Sequence, residues 1–178
     1  MTKRFDALLF DAGGVFVVPD PLTTGMVLEP FGGSTNLSVL VRCHYAGMAA
    51  IDAATAEQAA NSIERISWSS YREAYAREAG VPEEKVTDAA VALLKVFSAF
   101  LWRFPLHESV AGLWRLHLLG IRIGIVSNAS GQIERTLANE NICQVGDGSG
   151  VPVLIVTDSH VVGIAKPEAE IFDEAIGA

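Results

Sequence analysis

The sequence predicts an α/β protein, with a doubly wound, parallel, Rossmann-like sheet and an all-helical insertion. Three observations carry that expectation. Short apolar runs recur at residues 5–10, 121–126 and 151–157. Near-continuous runs of this kind belong to parallel strands covered on both faces, not to half-exposed antiparallel ones. Helical sequence alternates with the later runs, as a doubly wound sheet requires, while the block from residue 22 to residue 104 is helical in texture throughout. The expected division is a core of residues 1–21 and 105–178 with a helical cap of residues 22–104.

Taken in order, the first run has Asp6 as its only charge and ends at Asp11-Ala12-Gly13-Gly14. It reads as a buried strand delivering an aspartate to a glycine loop. Pro19 and Pro21 close that segment. Inside the helical block, Ala53, Ala59, Ile63 and Ile66 recur at helical spacing, as do Tyr71, Ala74, Tyr75 and Glu78. Gly80-Val81-Pro82 makes a stop, and Pro82 opens a helix from Glu83 to about Trp102. Residues 108–119 place Val110, Leu113, Trp114, Leu116 and Leu118 on a helix that Gly120 terminates. A second buried strand over 121–126 ends at Ser127-Asn128, and residues 132–140 read as helix. Gly146-Asp147-Gly148 reads as a turn with no strand before it. The third strand, 151–157, ends at Asp158-Ser159, and Lys166-Pro167 opens a last helix over 168–176. Sheets of this class bind ligands beyond the carboxyl ends of their strands, so Asp11, Ser127 and Asp158 should gather at one crevice.

Composition narrows the partners. Half of the 178 residues are apolar and 19% are charged, ordinary for a globular enzyme. Twenty-one acidic residues against 13 Lys and Arg leave a net charge of −8, which disfavours nucleic acid and anionic membrane as partners and otherwise suggests only solubility. The N-terminal apolar run is too short for a signal peptide, and no stretch approaches the ~18 apolar residues of a membrane span. Cys43 and Cys143 lie far apart with no metal-ligand partner nearby and read as small buried thiols rather than disulfide halves. A reducing, cytoplasmic location is the expectation.

Each candidate has a bland reading beside its chemical one. Asp11 before two glycines is placed as a nucleophile that the backbone lets a substrate approach, but Asp-x-Gly-Gly is also good turn chemistry. The Ser127 hydroxyl can hold an anionic oxygen or cap the following helix. Lys166 can neutralise both Asp11 and an incoming anion, or simply be solvated.

Together, hydrophobic-strand-Asp-x-Gly-Gly-Val, hydrophobic-strand-Ser-Asn and Gly-x-x-Lys-Pro-x-x-x-Ile-Phe resemble the haloacid dehalogenase superfamily, with the helical block in the place of its cap. The resemblance runs from Arg4 to about Ala175, and GIAKPEAEIF is its most diagnostic element. It implies that Asp11 is the nucleophile, forming an aspartyl-phosphate or aspartyl-ester. Ser127 would bind the transferring group, helped by the Asn128 amide, and the Gly13-Gly14 loop would lie against the substrate. Lys166 would steady the charge. In phosphate-transferring members Mg²⁺ is held by the nucleophile (here Asp11), by the backbone carbonyl two residues on (here Gly13) and by an aspartate of a fourth motif. Such an ion offsets repulsion between carboxylate and phosphate.

Two departures qualify what the resemblance implies. Phosphatases of the family usually carry a second Asp two residues after the nucleophile, as general acid and base; this chain has Gly13. That acid is typically worth about 10²–10⁴ in rate, whereas halide departs without a proton. The fourth motif, a strand carrying Gly-Asp, is absent before the chain ends at Ile176-Gly177-Ala178. In that fold the missing strand lies beside the first, so strand one should be a bare apolar edge that invites pairing. The reading is of an incomplete chain, with a pseudoenzyme or a homodimer covering the edge as alternatives. In the cap, Arg42 is placed to hold a substrate carboxylate or to be solvated on its helix. His44 reads as a surface or satisfied core residue, and Trp68, Tyr71 and Tyr75 read as cap core. Trp102, Phe104 and Trp114 should pack where cap and core join. The leading functional expectation is a phosphatase of a small phosphorylated metabolite. The alternatives are a 2-haloacid dehalogenase and a silent protein keeping the fold.

Overall fold

The computed structural model describes residues 5–59 and 68–178. In chain order its elements are β1 (Ala7–Phe10), β2 (Val17–Pro19), α1 (Pro21–Leu28), α2 (Leu37–Ala59), α3 (Trp68–Glu78), α4 (Val86–Val96), β3 (Trp102–Pro105), α5 (His107–Leu118), β4 (Arg122–Ser127), α6 (Ile133–Asn139), β5 (Cys143–Val145), β6 (Val151–Val153), β7 (Ile155–Asp158), α7 (Ser159–Val162) and α8 (Asp173–Gly177). Short 3₁₀ turns occupy Glu29–Phe31, Glu83–Lys85, Ala99–Leu101 and Ala169–Phe172. Ile63 and Ile66, expected on the helix that carries Ala53, lie outside the described residues. Two compact units result: Met1–Val18 with Trp102–Ala178, and Pro19–Leu101.

In the first unit β1, β4 and β7 form a small parallel sheet in the order β1-β4-β7. Phe10 stands opposite Ile125, and Ser127 opposite Asp158. β4 is the central strand, and every residue from Ile123 to Ser127 is buried. Its branched Ile123, Ile125 and Val126 suit a strand packed on both faces. One core joins Ile123 and Ile125 to Ala12, Phe16 and Val17, to Leu113 of α5, and to Ile133 and Leu137 of α6.

β1 departs from the buried strand expected of it. It is the sheet edge, its residues alternate between exposed and half-buried, and Phe5 and Leu9 are 58% and 37% exposed. Of its side chains, Phe10 packs against the core, where its ring meets Phe16 edge-on at 5.7 Å.

The apolar run at 151–157 is two strands, not one. β6 pairs with β5, and β7 pairs with β4. The change of partner falls at Leu154, whose N–H already donates to the Ile123 carbonyl at 2.8 Å. β5 went unread because it is three residues long with Gln144 at its centre, so Gly146-Asp147-Gly148 does follow a strand. That strand lies beside β6 rather than β1. Gln144 braces the return loop by accepting from the Gly150 N–H at 2.8 Å and donating to the Gly150 carbonyl at 3.1 Å.

Other expectations shift by a few residues. α4 stops at Val96, where Phe97 turns extended (ψ 103°). Trp102, Arg103 and Phe104 form β3 beside β2 instead of ending a helix. Trp114 is 37% exposed, edge-on to His117 at 5.8 Å, rather than a packing residue.

The second unit is Pro19–Leu101, with bounds three residues before the expected 22–104 at each end, and the elements described in it from Pro21 on are helical. Asp20 explains the early start. Its carboxylate accepts from the Leu22 N–H at 3.1 Å and from the Thr23 hydroxyl at 2.8 Å, capping α1. Its own N–H donates to the Leu101 carbonyl at 2.8 Å, tying the two ends of the unit together. α2 packs on α3, α3 on α4, and α1 on α2 and α4. Tyr71 and Tyr75 are fully buried, as their expected place in the cap core requires. Trp68 remains 43% exposed beside Tyr71. Gly47 admits the Tyr71 ring, since a Cβ there would stand 2.6 Å from it.

Both buried phenols have partners, as groups removed from water must. Tyr75 donates to the Leu40 carbonyl at 3.0 Å and meets the Thr24 hydroxyl at 3.0 Å. Tyr71 meets His44 Nδ1 at 2.8 Å. Cys43 and Cys143 are buried free thiols, and burial pushes each up to about 12. Among the described residues no helix is long and apolar enough to cross a membrane.

His44 is 2% exposed, and burial holds its imidazole down at about 4 against an ordinary 6.5. Between those values the unfolded chain binds a proton that the folded chain refuses. The stabilisation is therefore complete above 6.5 and is lost as the pH falls towards 4. The expected loss approaches about 1.4 kcal/mol per pH unit within that window. Urea unfolding from pH 6.5 to 5 measures it, and His44→Gln should flatten the slope.

Candidate active site

β1 and β4 run side by side and in register, so Asp11 leaves the sheet level with Val126, next to Ser127. Immediately after Asp11 the chain folds into a tight loop. The Ala12 carbonyl accepts from the Phe16 N–H at 2.8 Å, and the Gly14 N–H donates to the Val17 carbonyl at 2.8 Å. Gly14 sits at φ 73°, a left-handed conformation that favours glycine. Its N–H is thus committed to the loop. Gly13 is exposed, and a Cβ built there would meet nothing within 4 Å.

Lys166 completes the group. Its Nζ stands 2.7 Å from Asp11 Oδ2 and donates to the Val126 carbonyl at 3.0 Å. Asp11 Oδ1 accepts from the Ala12 N–H at 2.7 Å. Both carboxylate oxygens are therefore held, yet the Asp11 side chain remains 44% exposed and open to a substrate. Ser127, at the end of β4, is 4% exposed. Asn128 follows it and turns its side chain to the Lys166 main chain: Nδ2 donates to the Lys166 carbonyl at 3.0 Å, and Oδ1 accepts from the Lys166 N–H at 2.8 Å.

Among solved structures the chain is similar to a dehalogenase, with 14% identity over 99% of this chain and 72% of that one, at a TM-score of 0.44. It is also similar to two L-2-haloacid dehalogenases. One shows 16% identity over 99% of this chain and 74% of that one, at a TM-score of 0.44. The other shows 18% over 97% and 70%, at 0.40. No family model and no curated protein matches the chain.

The structure brings Asp11, Ser127 and Lys166 to one edge of the sheet. Arg42 belongs to the helical unit, where it is exposed on α2 with its Nη1 donating to the Ser38 carbonyl at 3.2 Å. His44 is a satisfied buried residue of the same helix. The Mg²⁺ expectation names Asp11, the Gly13 carbonyl and a fourth-motif aspartate as its ligands. Among the described residues no group of three or more His, Cys, Asp or Glu is placed to hold an ion. Asp11 and the Gly13 carbonyl are the groups among the described residues that would hold such an ion.

Asp158 is the third strand-end group, and it faces main chain rather than substrate. Its Oδ2 accepts from the N–H groups of Gly131 at 2.8 Å and Ile133 at 3.4 Å, and its Oδ1 from His160 at 2.9 Å. Ser159 accepts from the Ala129 N–H at 3.1 Å and donates to the Ala129 carbonyl at 3.3 Å. These two neighbours stitch the loop after Ser127 to the end of β7. A polar pair between a strand and a helix is a recognisable cap signal, but nothing local says which distant N–H groups it captures. The final helix also differs from the expectation. Residues after Lys166-Pro167 form a 3₁₀ turn at Ala169–Phe172 before α8, with Ile171 as the buried anchor.

Asp158 is 5% exposed, so its loss strands main-chain donors away from water. Asp158→Ala should lower the unfolding free energy by roughly 2–3 kcal/mol, and Asp158→Asn by less, as read by urea denaturation at pH 7.

Proposed function

We propose that this chain is a haloacid-dehalogenase-like hydrolase whose Asp11 carboxylate displaces a leaving group that departs as a free anion, with 2-haloacids as the substrate class. The observation that carries this reading is the Lys166–Asp11 contact at 2.7 Å, beside a position 13 that offers no acid. In the first step an Asp11 oxygen attacks C2 of the haloacid from the side opposite the halogen. The carbon–halogen bond breaks with its electron pair on the halide, and an aspartyl ester forms. Water then adds to the ester carbonyl, the carboxylate is regenerated, and a 2-hydroxy acid and a proton are released. Lys166 balances the charge of Asp11 while a second anion approaches, and the Ser127 hydroxyl binds the substrate's anionic oxygens.

The phosphatase reading uses the same Asp11, Ser127 and Lys166 and needs two further parts: an acid for an alkoxide leaving group, and the Mg²⁺ set. Position 13 offers no such acid, which places that reading second.

The two separate in one assay, halide release from 2-chloropropionate and phosphate release from p-nitrophenyl phosphate, each with and without EDTA. The expected result is halide release indifferent to EDTA and reduced at least ~10³-fold in Asp11→Asn, as loss of a covalent nucleophile demands. Phosphate release abolished by EDTA, with no halide, reverses the ranking. A folded protein inert to both favours a silent one.

Position 13 provides a further check, because the space there accepts a side chain. Gly13→Asp should raise hydrolysis of an alkyl phosphate by about 10²–10⁴ if phosphate transfer is the chemistry. It should leave haloacid turnover no faster if halide is the leaving group.

A further inference from the structure

We infer that Asn128 is the positioning residue for Lys166, acting through the lysine main chain rather than on substrate; this rests on the Asp11–Lys166 reading above. Lys166 lies in a stretch without helix or strand, between Gly163 and Glu168. Its side chain is long and flexible, so a fixed ammonium requires a fixed main chain beneath it. Asn128 provides that fixation at two points. Its Oδ1 takes the Lys166 N–H at 2.8 Å and its Nδ2 gives to the Lys166 carbonyl at 3.0 Å. An acceptor and a donor on one planar amide set the position and the tilt of the lysine backbone together, which a carboxylate, an acceptor only, does not do.

The same strand also holds the other end of the side chain. The Val126 carbonyl accepts from Nζ at 3.0 Å, two residues before the asparagine that holds the backbone. Lys166 is thus held at its root by the residue that follows β4 and at its tip by the Val126 carbonyl of β4, and Asp11, just past β1, meets the tip. The Asn128 side-chain amide is spent on this clamp, so its service to substrate is indirect. Asn128 is itself exposed, and its removal leaves the buried core untouched.

Lysine acetylation with an N-hydroxysuccinimide ester, followed residue by residue by peptide mass spectrometry, tests the clamp without any substrate. Lys85 and Lys95 are exposed and serve as references within the same molecule. In the wild-type chain Lys166 should label at least ~10-fold more slowly than Lys85, and Asn128→Ala and Asn128→Ser should each raise its rate several-fold with the melting temperature nearly unchanged. A Lys166 rate unmoved in both variants overturns the inference. Wild-type Lys166 labelling as fast as Lys85 overturns the Asp11–Lys166 pair itself, and the inference with it.

Kinetics on the haloacid give the second arm. Asn128→Ala should lower kcat with KM changed less than about threefold, and adding it to Lys166→Ala should slow the enzyme no further, as for two residues acting through one group. Additive losses would place Asn128 on the substrate and overturn the inference.

Discussion

Lys166 and Asp11 meet at 2.7 Å, although one precedes the last turn of the chain and the other ends its first strand. The contact holds only while three stretches keep their register. β1 carries Asp11, β4 offers the Val126 carbonyl to the same ammonium, and an irregular segment carries Lys166. In a parallel sheet a slip of one residue turns every side chain of a strand to the opposite face. A slipped β1 would point the Asp11 carboxyl away from Lys166. The burial of β4 on both faces fixes the reference strand, and the Leu9 side chain lying over Gly124, where a Cβ would stand 2.7 Å away, holds β1 against it.

What was legible in the sequence were positions set by local pattern. The branched run before Ser127 had to be a covered strand, Gly120 had to end a helix, and three strand ends had to share an edge. Partner choice was not legible. Nothing local in residues 151–157 shows that the first half pairs with Cys143–Val145 and the second with β4. Nor does any local signal announce that the first strand, as apolar as the others, stands at an edge. The site divides the same way. Asp11, Ser127 and Lys166 were readable as strand-end and loop groups. The Asn128 clamp joins residues far apart in sequence, and Asp158 resembled a site carboxylate until its main-chain donors were seen.

The helical unit shows the complementary case, in which polar residues serve packing. Tyr71, Tyr75, Thr24 and His44 are all buried, and each hydroxyl and the His44 Nδ1 finds a partner within the unit. Leaving one such group unpaired costs about 1–3 kcal/mol, so these contacts specify how α1, α2 and α3 stack. A histidine held neutral by burial is a poor general base at neutral pH, since its low affinity for protons weakens the abstraction it would have to perform.

Magnitudes indicate what the Lys166–Asp11 pair is for. Both side chains are partly solvated, and such pairs contribute only about 0–1 kcal/mol to folding. Two unit charges 4 Å apart, at the effective dielectric of a protein surface, interact by about 4 kcal/mol. An anionic substrate approaching a bare Asp11 would meet repulsion of that order, on a chain whose net charge is already −8. The distant acids are screened beyond roughly 8 Å at physiological salt; Asp11 at contact is not. One ammonium within hydrogen-bonding distance of the carboxylate removes most of that local repulsion and still leaves the nucleophile open to solvent. The pair is therefore too weak to be explained by stability, and its charge balance matches what the proposed attack on an anion would need.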